Sequence, residues 1–380
     1  MRHDETMPVV DHVARREALR AVNDGRTITA DVMGFLLRDV IKPVAGSFVR
    51  GDRLDTAGFR RTVEAVRAGL GSASHGALEE RFTAPTRTRP KGEAHEILAM
   101  VPTGTGTQAD GHEVIGQMGV RIRVTRRKLE FDSTSICTMS TRHLVERAVQ
   151  RGMTPWTGVH REVSQAMWSG LGLTAVWRHA VATGLVPTRE TALPFGDGLM
   201  VGSMSPNPDP PSRLKVEVNA LGFRGLSETG DGHLSVPGID PAGEAWLTTF
   251  VTVLDWSRLN PARVRLHALL DDFARDNAAA LADVVRATAW PHAEDASPRA
   301  AAEAALPALA ASLATGLLQP DVAPALRERE GDTGLPIAPV PARPEPDGWF
   351  ADRLAKVWGI EPPDKRPQIS SGKFPASSMR

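Results

Sequence analysis

Between Ser140 and Gly152 the chain reads STRHLVERAVQRG, which sets His143, Arg147 and Arg151 four residues apart. At about 100° per helical residue, side chains at that spacing fall within about 80° of one another and form one ridge. Guanidinium forks match phosphate oxygens two at a time and stay charged across the physiological range. An imidazole that titrates near neutrality can pass a proton. Two chemistries follow from these residue types: grip of an anionic group, or metal-independent cleavage of a phosphodiester with His143 as proton shuttle.

The stretch before this ridge supplies more positive charge. In GVRIRVTRRKLEF, Val120, Ile122 and Val124 alternate with Arg121, Arg123 and Thr125, a strand with one apolar and one basic face. A turn at Arg126, Arg127 and Lys128 leads into Leu129 and Phe131, which continue the alternation. Between Gly119 and Gly152 there are eight Lys/Arg (121, 123, 126, 127, 128, 142, 147, 151) against three acids (130, 132, 146), an excess in a chain whose formal net charge is zero. The expectation is therefore a patch in which Arg121, Arg123, Arg126, Arg127 and Lys128 bind the ligand, with His143, Arg147 and Arg151 as catalytic candidates. The competing reading is an ordinary wet helix flank. Arg142 and Glu146 stand at the spacing of a surface ion pair, and arginines beside an apolar arc cover it with their stems. Binding is preferred to cleavage because no second proton-transfer partner can be named. The ridge resembles the His/Arg helix of small bacterial ribonuclease toxins over this one segment, and no role is carried over from it.

Other signals are weaker. GTGTQA at 104–109 matches a glycine fingerprint in form, but the residues after it make a poor helix, so a mobile loop is expected there. The eleven histidines show no ligand spacing, and neither a metal nor a cofactor is expected. The single cysteine, Cys137, sits between Ile136 and Thr138 on a predicted strand and reads as a structural thiol. Near the C-terminus, Trp349, Phe350, Leu354, Val357 and Trp358 form an apolar stripe after a proline-rich stretch. Such a helix docks into a groove, its own or a partner's.

These residues belong to a chain of 380 residues with 41% hydrophobic and 24% charged content, ordinary globular usage. Equal numbers of basic and acidic residues, 45 each, argue against a protein that coats nucleic acid or membrane through bulk charge. The acidic N-terminus (Asp4, Glu5, Asp11), the lone cysteine and the lack of a long uninterrupted apolar run lead to the expectation of a soluble cytoplasmic protein without membrane contact. The composition, rich in Ala, Arg, Gly and Pro and free of tyrosine, is bacterial or phage-like.

The elements that must position the patch give an α+β expectation: an N-terminal helical segment, a central mixed or antiparallel sheet with interposed helices, and C-terminal helices. By boundaries, 1–70 is helical, with Pro43 closing its second helix, and 71–258 is the α+β core. Residues 259–318 form a helical segment packed on it, entered through Asn260-Pro261. A linker at 319–346, a docking helix at 347–360 and a disordered tail at 361–380 follow. The leading functional expectation is a binding protein for nucleic acid or another phosphate-bearing ligand at 119–152. The alternatives are an RNase-like enzyme using His143 with Arg147 and Arg151, and a non-enzymatic adaptor that recruits a protein partner through 347–360.

Overall fold

A computed structural model describes residues 40–49, 53–73, 78–84, 93–107, 113–150, 159–207, 213–219, 222–228, 245–254, 259–289 and 297–327. In chain order these hold α1 (Lys42–Val49), α2 (Thr56–Ala73), β1 (Leu78–Thr83), β2 (Ala94–Thr107), β3 (Glu113–Thr125) and β4 (Leu129–Thr141). Next come α3 (Arg142–Gln150), α4 (Val159–Ser169), α5 (Leu171–Ala182), β5 (Glu190–Phe195), β6 (Gly198–Asn207), β7 (Arg213–Asn219), β8 (Gly222–Glu228) and β9 (Ala245–Leu254). The helices α6 (Pro261–Asp276), α7 (Ala278–Ala289), α8 (Ser297–Leu317) and α9 (Ala323–Arg327) complete the described chain. The fold is α+β, as the element pattern predicts. A second unit, Arg343–Arg380, lies outside the described residues together with the aromatic stripe expected to dock.

The strands form one nine-stranded sheet, with β1-β2-β3-β4-β9-β6-β5 as its main path. β4 is a branch point. Its first half, Leu129–Thr134, pairs antiparallel with β7, whereas Thr138–Ser140 pair parallel with β9.

Alternation decides what covers each face of β1–β4. Ile97, Val120, Ile122, Leu129 and Phe131 share one face by register and are fully buried. α2 lies on β2 and β3, and its Phe59, Val63, Val66 and Leu70 recur at helical spacing and are buried. Each such side chain contributes about 1.5–3 kcal/mol of burial. The opposite face carries Leu98, which joins the larger core built from α3 to α9. Close approach there is set by glycine: a Cβ on Gly172 of α5 would lie 2.7 Å from the Leu281 carbonyl oxygen of α7.

Several expectations need correction. Pro43 closes no helix: it is the second residue of α1, which runs on to Val49. The two residues before α1, Val40 and Ile41, are π-helical, a wider turn of the kind that accommodates a proline within a helical stretch. Gly104, Thr105 and Gly106 lie in β2, whose end pairs with β3; a ladder partner overrides poor strand propensity. The helix expected to run on after Asn260 is divided at Asn277, whose side chain donates to the Phe273 carbonyl at 2.9 Å. The first part of the expected linker is not linker: Val322, Ala325 and Leu326 join the main core. Three strands, β1, β5 and β8, escape the sequence reading; β5 contains Pro194 and lies at an edge, where proline is tolerated.

Among the described residues one helix segment, Arg299–Leu317 of α8, is long and apolar enough to cross a membrane. Its Ala302, Leu306, Leu309, Ala310, Leu313, Ala314 and Leu317 pack into the core.

Candidate functional site

The basic strand folds as its alternation predicts, but its arginines meet carboxylates. Arg121, 3% exposed, lies 3.3 Å from Glu96 of β2 and 3.4 Å from Asp132 of β4. Arg123 lies 3.4 Å from Glu130 and 3.6 Å from Glu96. At the turn, Arg126 bonds Glu93, while Lys128 reaches Glu130 at 2.5 Å and Glu217 of β7 at 3.1 Å. Register explains the pattern: Glu96, Arg123, Glu130 and Glu217 are successive cross-strand neighbours on one face. Burial opposes the charges of Lys128 and Glu130, but their mutual hydrogen bond holds the lysine above its usual range and the carboxyl below it; Glu217 adds to the first, Arg123 and Arg121 to the second. These residues form a charge ladder that fixes strand register.

α3 forms where expected, with the Thr141 hydroxyl accepting from the Leu144 amide at 3.3 Å as its cap. Leu144, Val145 and Ala148 are buried, and His143, Glu146 and Arg147 are half-buried. Arg142 donates to Glu146 at 2.8 Å, the surface pair that the spacing predicts. Arg147 Nε donates to His143 Nε2 at 3.4 Å, so that nitrogen acts as acceptor. Arg151 lies outside the described residues.

Strand arginines and helix ridge do not sit together. Asp132, the register partner of Arg121, stands nine residues before Thr141, where α3 begins. At about 3.3 Å per strand residue this separates them by about 30 Å along β4. The turn Arg126–Lys128 lies still farther from the helix.

That turn has another neighbour. Leu54 N donates to Arg126 O at 2.9 Å, and the Arg126 guanidinium reaches Leu54 O at 3.3 Å and Thr56 Oγ1 at 3.1 Å. Leu54 lines a hollow of about 540 Å³ between α1 and α2. Arg53 and Arg61 line the same hollow, with Ser47, Asp55 and Thr62. Among the described residues neither Arg53 nor Arg61 makes a side-chain hydrogen bond or ion pair. Arg127, exposed on the adjacent turn, is in the same condition, and only its backbone amide bonds Thr125 Oγ1 at 3.2 Å. Asp55 caps α2, accepting from the Gly58 amide at 2.6 Å, and Thr62 donates to the Gly58 carbonyl.

Arg127 is among the residues expected from the sequence to bind the ligand, whereas Arg53 and Arg61 are not. The signal for them in the sequence is a pair of arginines flanking the Asp55-Thr56 helix start. Among the described residues no group of three His, Cys, Asp or Glu side chains is placed to hold a metal ion.

By fold the chain is an α+β protein with an arginine-lined hollow between α1 and α2. No family model, no curated protein and no solved structure matches it.

Proposed function

We propose that this chain acts by non-covalent binding of an anionic ligand, received in the α1–α2 hollow beside the β3–β4 turn. The observation that carries this reading is the placement of Arg53 and Arg61 on one concave surface with no carboxylate partner. In β3 and the turn after it, arginines at 121, 123 and 126 are matched by acids. An unmatched pair in a hollow can exchange water for an anion without first breaking a native ion pair. The proposal keeps the ligand class and the Arg127 turn of the sequence expectation, and moves the site away from α3. It gives the chain a binding role and assigns no chemistry to His143.

Titration of the full-length protein with pyrophosphate at low salt tests it. Arg53→Ala combined with Arg61→Ala weakens binding at least tenfold, as loss of a charged hydrogen bond worth about 1.5–3 kcal/mol requires. Arg127→Ala gives a smaller loss, and Arg275→Ala on α6 gives none. Affinity unchanged in the double variant, with circular dichroism confirming the fold, overturns the proposal.

A further inference from the structure

We infer that the ligand of this hollow is a small phosphorylated molecule bearing free hydroxyls, a sugar phosphate or a nucleotide, and that Asp55 selects for it. The inference rests on the anion-binding reading above and adds a specificity to it.

Size favours a small molecule. The hollow, about 540 Å³, falls in the range of about 300–1,000 Å³ typical of small-molecule pockets. Its lining is divided between apolar and polar groups: Pro43, Val44 and Ala65 on one side of the account, Ser47, Arg53 and Arg61 on the other. A bare inorganic anion uses only the second set.

Asp55 is the residue that discriminates. It shares the hollow with Arg53 and Arg61, and its Oδ1 is committed to the Gly58 amide. Its Oδ2 makes no hydrogen bond among the described residues. A carboxylate next to an anion site repels a bare phosphate. The same carboxylate accepts a hydrogen bond from a ribose hydroxyl held several bonds away from the phosphate, so repulsion becomes recognition. Acidic residues read ribose hydroxyls in this way beside phosphate sites in other folds. A group that penalises the wrong ligand while pairing with the right one supplies specificity from both directions.

The test uses the full chain and three probes, inorganic phosphate, ribose 5-phosphate and AMP, by isothermal titration calorimetry. The wild type binds ribose 5-phosphate or AMP at least about tenfold tighter than inorganic phosphate. In Asp55→Asn the helix cap is kept, because Asn caps as well as Asp. That variant binds inorganic phosphate more tightly than the wild type does, loses affinity for ribose 5-phosphate, and so narrows the preference about tenfold. AMP tighter than ribose 5-phosphate identifies a nucleotide, and equality identifies the sugar phosphate. Asp55→Ser, which also caps, repeats the comparison should Asp55→Asn unfold. If all three probes bind equally and Asp55→Asn leaves their ratio unchanged, the role of Asp55 is overturned while the anion site stands. If none binds, both readings fail. Tighter binding of an RNA oligonucleotide than of any small probe overturns the small-molecule assignment.

Discussion

Arg121 illustrates how a residue's type and its use can part company. A guanidinium is suited to phosphate, yet this one is buried between Glu96 and Asp132 on neighbouring strands. Its expected contribution is to stability. Removing one partner of a buried ion pair strands the remaining charge, at a cost of about 3–5 kcal/mol. Arg121→Met therefore lowers the urea unfolding free energy by about that much and leaves pyrophosphate affinity of the folded fraction unchanged. A loss below about 1 kcal/mol would show that Glu96 and Asp132 are satisfied without it. Arg127, six residues on, has the same side chain and makes no ion pair among the described residues, and on the proposed reading it serves binding.

At the scale of elements, α2 is tied to the edge strand β1 by one carboxylate. Arg67 of α2 donates to Glu80 of β1 through Nε at 2.5 Å and Nη2 at 2.7 Å, and His95 Nε2 of β2 lies 2.7 Å from the same carboxylate. The Arg67 hydrogen bonds, against a smaller opposing effect of burial and with help from His95, lower the Glu80 pKa to about 2. The folded value lies below the unfolded value of about 4.5, so the folded state binds the proton less readily. Glu80 thus contributes stability that is fully present above about pH 4.5 and is lost as pH falls towards about 2. The stability difference between wild type and Glu80→Gln, followed by urea midpoints across that interval, shrinks as pH drops. A difference independent of pH would mean that the Arg67 and His95 contacts do not hold Glu80 ionised. The site is partly exposed, so the effect is modest and weakens with salt.

For the whole molecule, the question is where the compact core ends. Pro-rich composition places a boundary at residue 319, whereas packing carries the core through α9: Val322 is 2% and Leu326 5% exposed. Leu326→Ala is expected to cost about 2–5 kcal/mol, as at other buried leucines. An unfolding midpoint within error of wild type would return 319–327 to the linker. The same packing gives α8 a role within the main core, where its long apolar composition serves burial against α5 and α7.

Local pattern by itself determined the α+β class, the hairpin around Arg126–Lys128, the cap and apolar arc of α3, the stripe of α2 and the Asn260 cap. Each of these depends on residues a few positions apart, where strand alternation or helical spacing leaves one arrangement that buries the apolar side chains. Tertiary structure alone decided which charges remain available. Glu96 meets Arg121 across a strand pair, and Arg126 meets Leu54 and Thr56 some seventy residues away. Counting charges along the chain from 119 to 152 could not anticipate that Glu96 of β2 and Glu217 of β7 join Glu130 and Asp132 in neutralising the basic residues, or that β4 would hold turn and ridge at opposite ends. Net local charge is a property of neighbours in space, and sheet pairing brings those neighbours from sequence-distant strands.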